Sequence, residues 1–271
     1  MPGRLAMLGL LAGAAATAGP QLAAEIAQWR HAREAALTAD GGWLTVTGRF
    51  PLHEGDNRFG QAPSNDIVLP DGPPHAGTLI LYEGKVTVRM EGATRAVRPN
   101  SSDEIQVGRL RLSVLQSAGA YSVRMRDPES RMRRDFHGIE CYPAREEYRV
   151  TGRFVAAPRR IADAVCPGYV EFRLLGRELK LYPIQEQPGA KTLVIVFRDL
   201  TTGRETYEGG RFLDIELPPD GPAVLDFNVV LDFNKAYNPP CAFTPFVSCP
   251  LPPRQNRLPV RIEAGEKKMK R

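Results

Sequence analysis

Histidine is scarce in this chain of 271 residues: there are four, at positions 31, 53, 75 and 137. None lies beyond His137, so a histidine-based triad or a zinc site is not expected in the C-terminal half. The sequence also lacks a Gly-x-Ser-x-Gly elbow, a His-Glu-x-x-His pair, a phosphate loop and a Cys-x-x-Cys, which removes the common signatures of hydrolases, zinc proteases, nucleotide binders and thiol oxidoreductases. Nothing calls for a metal or another cofactor. No apolar run is long enough to span a bilayer, and no repeat of solenoid length appears.

A basic body is missing too, although the pI is near 9.1. Arg4 lies in the leader-like segment, and Lys267, Lys268, Lys270 and Arg271 form a C-terminal tail. Taking those five from the 36 basic residues leaves parity with the 31 acidic ones. Nucleic acid is therefore not an expected partner.

What is present begins with Met1-Pro-Gly-Arg4 and the apolar stretch Leu5–Ala18, the layout of a secretory signal with a small-x-small site at Ala16-Thr17-Ala18. Export to the periplasm or beyond, with cleavage near Ala18 and no transmembrane segment in the mature chain, is the expectation. Four cysteines suit an oxidising compartment. Cys241 and Cys249 are the expected disulfide, being close together in an irregular segment; closing that loop contributes roughly 2.6 kcal/mol in the chain-entropy model. The pairing of Cys141 and Cys166 is not readable.

Apolar residues at helical spacing (Ile26, Trp29, Ala32 or Arg33, Ala36) predict a helix over 21–38, packed on the first domain with Trp29, Arg30 and Arg33 as packing and surface residues. After Gly42 the texture changes to short alternating runs broken by Gly, Pro, Asn and Asp. This predicts a mostly β chain: a β-sandwich over 41–143, then a second β-rich domain, sandwich or barrel, over 144–271 with a Pro-rich C-terminal wrap. In the first half, Gly55-Asp-Asn-Arg-Phe-Gly60, Asn65-Asp66-Ile-Val-Leu69 and Pro73-Pro-His75 resemble a degenerate forkhead-associated signature. Gln61 stands at the phosphate-binding arginine position and the serine before His75 is missing. The resemblance thus implies a sandwich fold more than phosphopeptide binding.

In the segment Ala223–Asn234 every odd position is apolar, while the even ones are polar apart from Val224 and Val230. Odd positions Leu225, Phe227, Val229, Leu231 and Phe233 predict a core face; even positions Asp226, Asn228, Asp232 and Asn234 predict a polar face, open to water or lining a cavity. Upstream, Phe197–Leu213 reads as a hairpin turning at Thr202-Gly203. Asp-x-Thr-x-Gly-x-x-Thr-Tyr-x-x-x-Arg-Phe-Leu from Asp199 to Leu213, Leu-Asp-Phe-Asn-x-Ala-Tyr-Asn-Pro-Pro-Cys from Leu231 to Cys241, then Cys-Pro-Leu-Pro-Pro and Ala-Gly-Glu-Lys, resemble the bacterial domain-of-unknown-function family 1684. That resemblance implies relatives but no activity.

The candidate ligand-binding residues are Asp199, Tyr207, Arg211, Asp232, Asn234, Tyr237, Asn238 and Asn256. Here Arg211 would hold a carboxylate or phosphate and the asparagines would orient the ligand. The architectural alternative pairs Arg211 with Asp232 inside the domain and spends the asparagines on turn backbone. Three functions stay open: a binding module for a small polar or acidic ligand, a hydrolase using Asp232 and Glu266 as a carboxylate pair, and a structural envelope protein without a small-molecule site.

Overall fold

The computed structural model describes residues 18–162, 164–186, 190–217 and 226–269. The leader-like segment up to Thr17, the strand reading at 223–225 and the side chain of Asp226 lie outside them. Helix α1 (Pro20–Thr38) opens with proline in its first turn, where its missing N–H costs nothing. Nine strands follow: β1 (Val46–Leu52), β2 (Gly55–Gly60), β3 (Ile67–Val68), β4 (Gly77–Tyr82), β5 (Lys85–Met90), β6 (Ala93–Val97), β7 (Glu104–Val107), β8 (Leu110–Ser117) and β9 (Ala120–Arg126). They form one sheet in the order β1-β9-β8-β7 and another in the order β3-β2-β4-β5-β6. Alternation sends Phe59, Leu79, Val88, Leu112, Val114 and Val123 from both sheets into one buried core, which makes this half a sandwich.

A connector carries the short helix α2 (Arg131–Arg134), capped by Ser130 Oγ accepting from the Arg133 amide. The second half then forms β10 (Arg149–Ile161), β11 (Ala164–Leu174), β12 (Arg177–Leu181), β13 (Thr192–Phe197), β14 (Arg211–Glu216) and β15 (Asp226–Asp232). One sheet runs β12-β11-β10-β15, and β13 pairs with β14. Phe154, Phe172, Ile195, Phe197, Leu213, Leu231 and Phe233 bury between these sheets. So do Leu258, Val260, Ile262 and Ala264 of the C-terminal wrap, which alternates inward and outward and bonds through Leu258 and Val260 to the Arg198 and Leu200 backbone just past β13.

The expected placement of α1 needs correcting. Its buried face is Leu22, Ile26 and Leu37 with half-buried Trp29 and Arg33, whereas Ala32 and Ala36 are exposed. It packs on both halves: Leu37 buries with Leu44 of the first and Phe243 of the second, Glu25 pairs with Arg149 and Lys235, and Arg30 donates to the carbonyl of Tyr142 at 2.8 Å. Charged side chains reaching out of a helix decide its docking here, and apolar spacing does not register them.

Candidate functional site

The motif residues of the C-terminal half divide into a buried framework and an open groove. In the framework, Asp199 sits where β13 ends. Its oxygens accept from Thr201 Oγ1 at 2.8 and 2.9 Å, Thr202 Oγ1 at 3.1 Å and the Ile262 amide at 2.7 Å. The Thr202-Gly203 turn is where the sequence puts it, with Gly203 at φ 81°. Arg211, 1 % exposed, pairs with Asp199 at 3.5 Å. It also donates to the carbonyls of Ala264 and Ile262, the latter at 3.0 Å, and lies over the Phe197 ring. The architectural alternative for Arg211 thus acquires a different partner: Asp199 replaces Asp232.

Three asparagines imitate backbone. Asn256 accepts from the Tyr182 amide at 2.8 Å and donates to the carbonyls of Tyr182 and Val196 at 2.9 Å, tying the end of β12 to β13. Asn234 exchanges both bonds with the backbone of Arg145 at 3.0 Å. Asn238 donates to the Lys267 carbonyl at 2.8 Å, and its own amide donates to Glu266 at 2.6 Å. Glu266 also receives Arg33 Nε at 3.2 Å, while Arg33 donates to the Asn238 carbonyl at 2.8 Å and lies over the Tyr237 ring. Burial pushes the Glu266 carboxyl up, opposed by Arg33 and the Asn238 amide. Geometry favours an ionised group here, since two donors converge on it.

Tyr207 donates to the Cys241 carbonyl at 3.2 Å, and burial pushes its hydroxyl up to about 12. Cys249 Sγ accepts from the Cys241 amide at 3.2 Å, and both cysteines are free thiols in this structure. In the sandwich, Asn65 ties its own loop together through the carbonyls of Ala62 and Pro74.

The groove, about 750 Å³, lies between α1, β14 and β15. Its walls include Trp29 and Tyr237, the cations Arg149 and Lys235, and the carboxylates Glu25, Asp214, Glu216 and Asp232. Tyr237 donates to Asp214, an exposed carboxylate, at 2.9 Å. Asp232 caps the 233–235 turn: its Oδ1 accepts from the Asn234 amide and side chain at 3.1 and 2.9 Å. Its Oδ2 is buried with no hydrogen-bond donor, and Arg149 Nε stands 3.9 Å away. The polar face read from sequence is thus split, with Asn228 exposed at one end and Asp232 and Asn234 buried at the other.

Of the candidates, the groove gathers Asp232 and Tyr237, and the framework takes Asp199, Arg211, Asn234, Asn238, Asn256 and Glu266. No contact joins Asp232 to Glu266 among the described residues. Sequence reasoning missed Glu25, Arg33, Arg149, Asp214 and Lys235. Arg33 was signalled only by standing one helical turn after Trp29, and Asp214 by following the Arg-Phe-Leu of β14. Among the described residues no three His, Cys, Asp or Glu side chains converge as a metal site requires, and no helix is long and apolar enough to cross a membrane.

No curated protein matches the chain. A solved structure, the solution structure of an uncharacterized protein from gene locus rrnAC0354 of Haloarcula marismortui, is similar at 33% identity; the match covers 50% of this chain and 78% of that one, with a TM-score of 0.43. The family model described as "Protein of unknown function (DUF1684)" matches residues 134–267, a span that holds the framework motifs and most of the groove. Over those residues, the chain belongs to family DUF1684.

Proposed function

We propose that the chain is a binding module for a small polar ligand held in the groove between α1, β14 and β15, with Asp232 as the acceptor that fixes it. The observation that carries this reading is Asp232 Oδ2, buried on the groove wall without a donor. A buried carboxylate oxygen that takes no hydrogen bond and has only the Arg149 guanidinium 3.9 Å away is costly, and a ligand hydroxyl or ammonium would complete it. Trp29 and Tyr237 offer aromatic walls. Four lining carboxylates against two cations favour a neutral or cationic polar group over an acidic one. A hydrolase using Asp232 and Glu266 draws less support, because Glu266 is occupied by Arg33 and Asn238. A purely structural envelope role accounts for the asparagines but leaves the Asp232 oxygen unexplained.

The test is a thermal-shift screen of the chain against sugars, polyols, amines and carboxylates. A ligand raises the melting point by mass action. A rise seen with wild type and lost in Asp232→Asn supports the reading; no rise across the library, or one that Asp232→Asn keeps, sinks it.

Export and cleavage near Ala18 belong to the same reading. The Gly19 nitrogen donates to Glu146 at 3.1 Å, so a chain starting at Gly19 would set its ammonium against a carboxylate. N-terminal sequencing of protein recovered from the producing cell tests this, and a start other than Gly19 rejects it. In an exporting compartment Cys241 and Cys249 would lose two protons and two electrons to a disulfide oxidant to form their bond. Free thiols at both positions in exported protein, by non-reduced peptide mass mapping, would end that claim.

A further inference from the structure

The outer face of the β1-β9-β8-β7 sheet carries four arginines in adjoining positions. Register places Arg49 of β1 directly across from Arg124 of β9, and Arg126 of β9 directly across from Arg111 of β8. Arg124 and Arg126 are two apart on one strand, so both project from the same face. Such cross-strand pairs hold their Cβ atoms about 5 Å apart, and like charges facing each other there destabilise the sheet.

Countercharge is thin on this face. Arg111 meets Asp40 at 3.4 Å, an exposed carboxylate shared with Arg133 at 3.0 Å. Glu104 acts on Arg126 only through space. Arg49 donates to Ser122 Oγ at 3.2 Å and Arg126 to Ser113 Oγ at 3.5 Å. Among the described residues Arg124 has neither carboxylate nor hydrogen-bond partner and only lies over the Trp43 ring, 5.0 Å from its centroid. The Nε atoms of both Arg124 and Arg126 are buried without an acceptor. Burial, then the repulsion of Arg126 and Arg49, pulls the Arg124 guanidinium down to about 10.

We propose that this face is an oxyanion site, in which Arg49, Arg111, Arg124 and Arg126 hold a phosphate- or sulfate-type group, free or carried on a larger molecule. Guanidinium edges match tetrahedral oxyanions bidentately. Four like charges facing one another in register, with little countercharge beside them, are what such a group would neutralise together. Carboxylates bound the patch at Asp40 and Glu104, which suits a compact multivalent anion better than an extended polymer. The site is separate from the groove, so either stands without the other.

The experiment is calorimetric titration of the full chain with pyrophosphate at low ionic strength, and with vesicles bearing an anionic phosphate headgroup. Arg124→Gln/Arg126→Gln is compared with Arg58→Gln/Arg89→Gln, a control that removes equal charge from arginines already paired with Asp66 and Asp56. The expected result is saturable binding weakened at least about tenfold by the first double variant and little changed by the control. Removing repulsion should leave its melting point unchanged or higher, so loss of fold does not mimic loss of binding. Binding to pyrophosphate alone identifies a free anion, to vesicles alone a headgroup, and to both a site indifferent to the carrier. Absence of binding to either, or equal weakening by both double variants, overturns the proposal.

Discussion

Replacing Arg211 by methionine tests whether the motif residues are framework. The change removes an ion pair with Asp199 and donors to two backbone carbonyls inside a site that is 1 % exposed. Hydrogen bonds to a charged group contribute about 1.5–3 kcal/mol each, and breaking one partner of a buried pair costs about 3–5 kcal/mol. We take the second figure for the whole, since the two overlap. In a chain of this size it lowers the melting point by roughly 6–20 °C. Asp199 keeps Thr201, Thr202 and the Ile262 amide, so it stays folded around an uncompensated charge. Arg211→Met/Asp199→Asn is therefore expected to lose less than the two single changes added together. Urea denaturation of the four proteins measures this. A loss under about 1 kcal/mol for Arg211→Met, or strict additivity of the double variant, refutes the framework reading.

Asn256→Ala strands the Tyr182 amide and frees the carbonyls of Tyr182 and Val196. The expected cost is roughly 2–4 kcal/mol, read by the same denaturation, and a neutral outcome contradicts the splint. Hydrogen bonds from Lys235 and then Arg149 hold the Glu25 carboxyl below its ordinary range. With the folded value depressed, its stabilisation is complete above the unfolded value, about 4.3, and fades as pH falls through the lower folded one. Melting points measured across acidic pH should therefore fall less steeply for Glu25→Gln than for wild type; parallel curves disprove the linkage.

The β architecture was legible because alternation is local: Leu112, Val114, Val123 and Val229 declare their burial from two-residue spacing alone. The hairpin around Gly203 was legible from turn chemistry. The framework residues were visible as a set, but not their roles, because Asn234 and Asn256 act on backbone that is distant in sequence, at Arg145 and Tyr182. The groove was half legible. Asp232 stood out on its strand, while Glu25 and Trp29 reach it from a helix whose docking depends on ion pairs across more than a hundred positions. No periodicity encodes that.

The bond between Arg33 and Glu266 spans nearly the whole chain. Most of a helix's stability in a protein comes from tertiary packing, and α1 is synthesised long before Asn238 and Glu266 exist to seat it. The first element made is thus among the last secured. A chain cut short before the Ala-Gly-Glu-Lys stretch keeps the Asn238 carbonyl and the Tyr237 ring for Arg33 but loses the Glu266 carboxylate, so α1 is held less firmly in it.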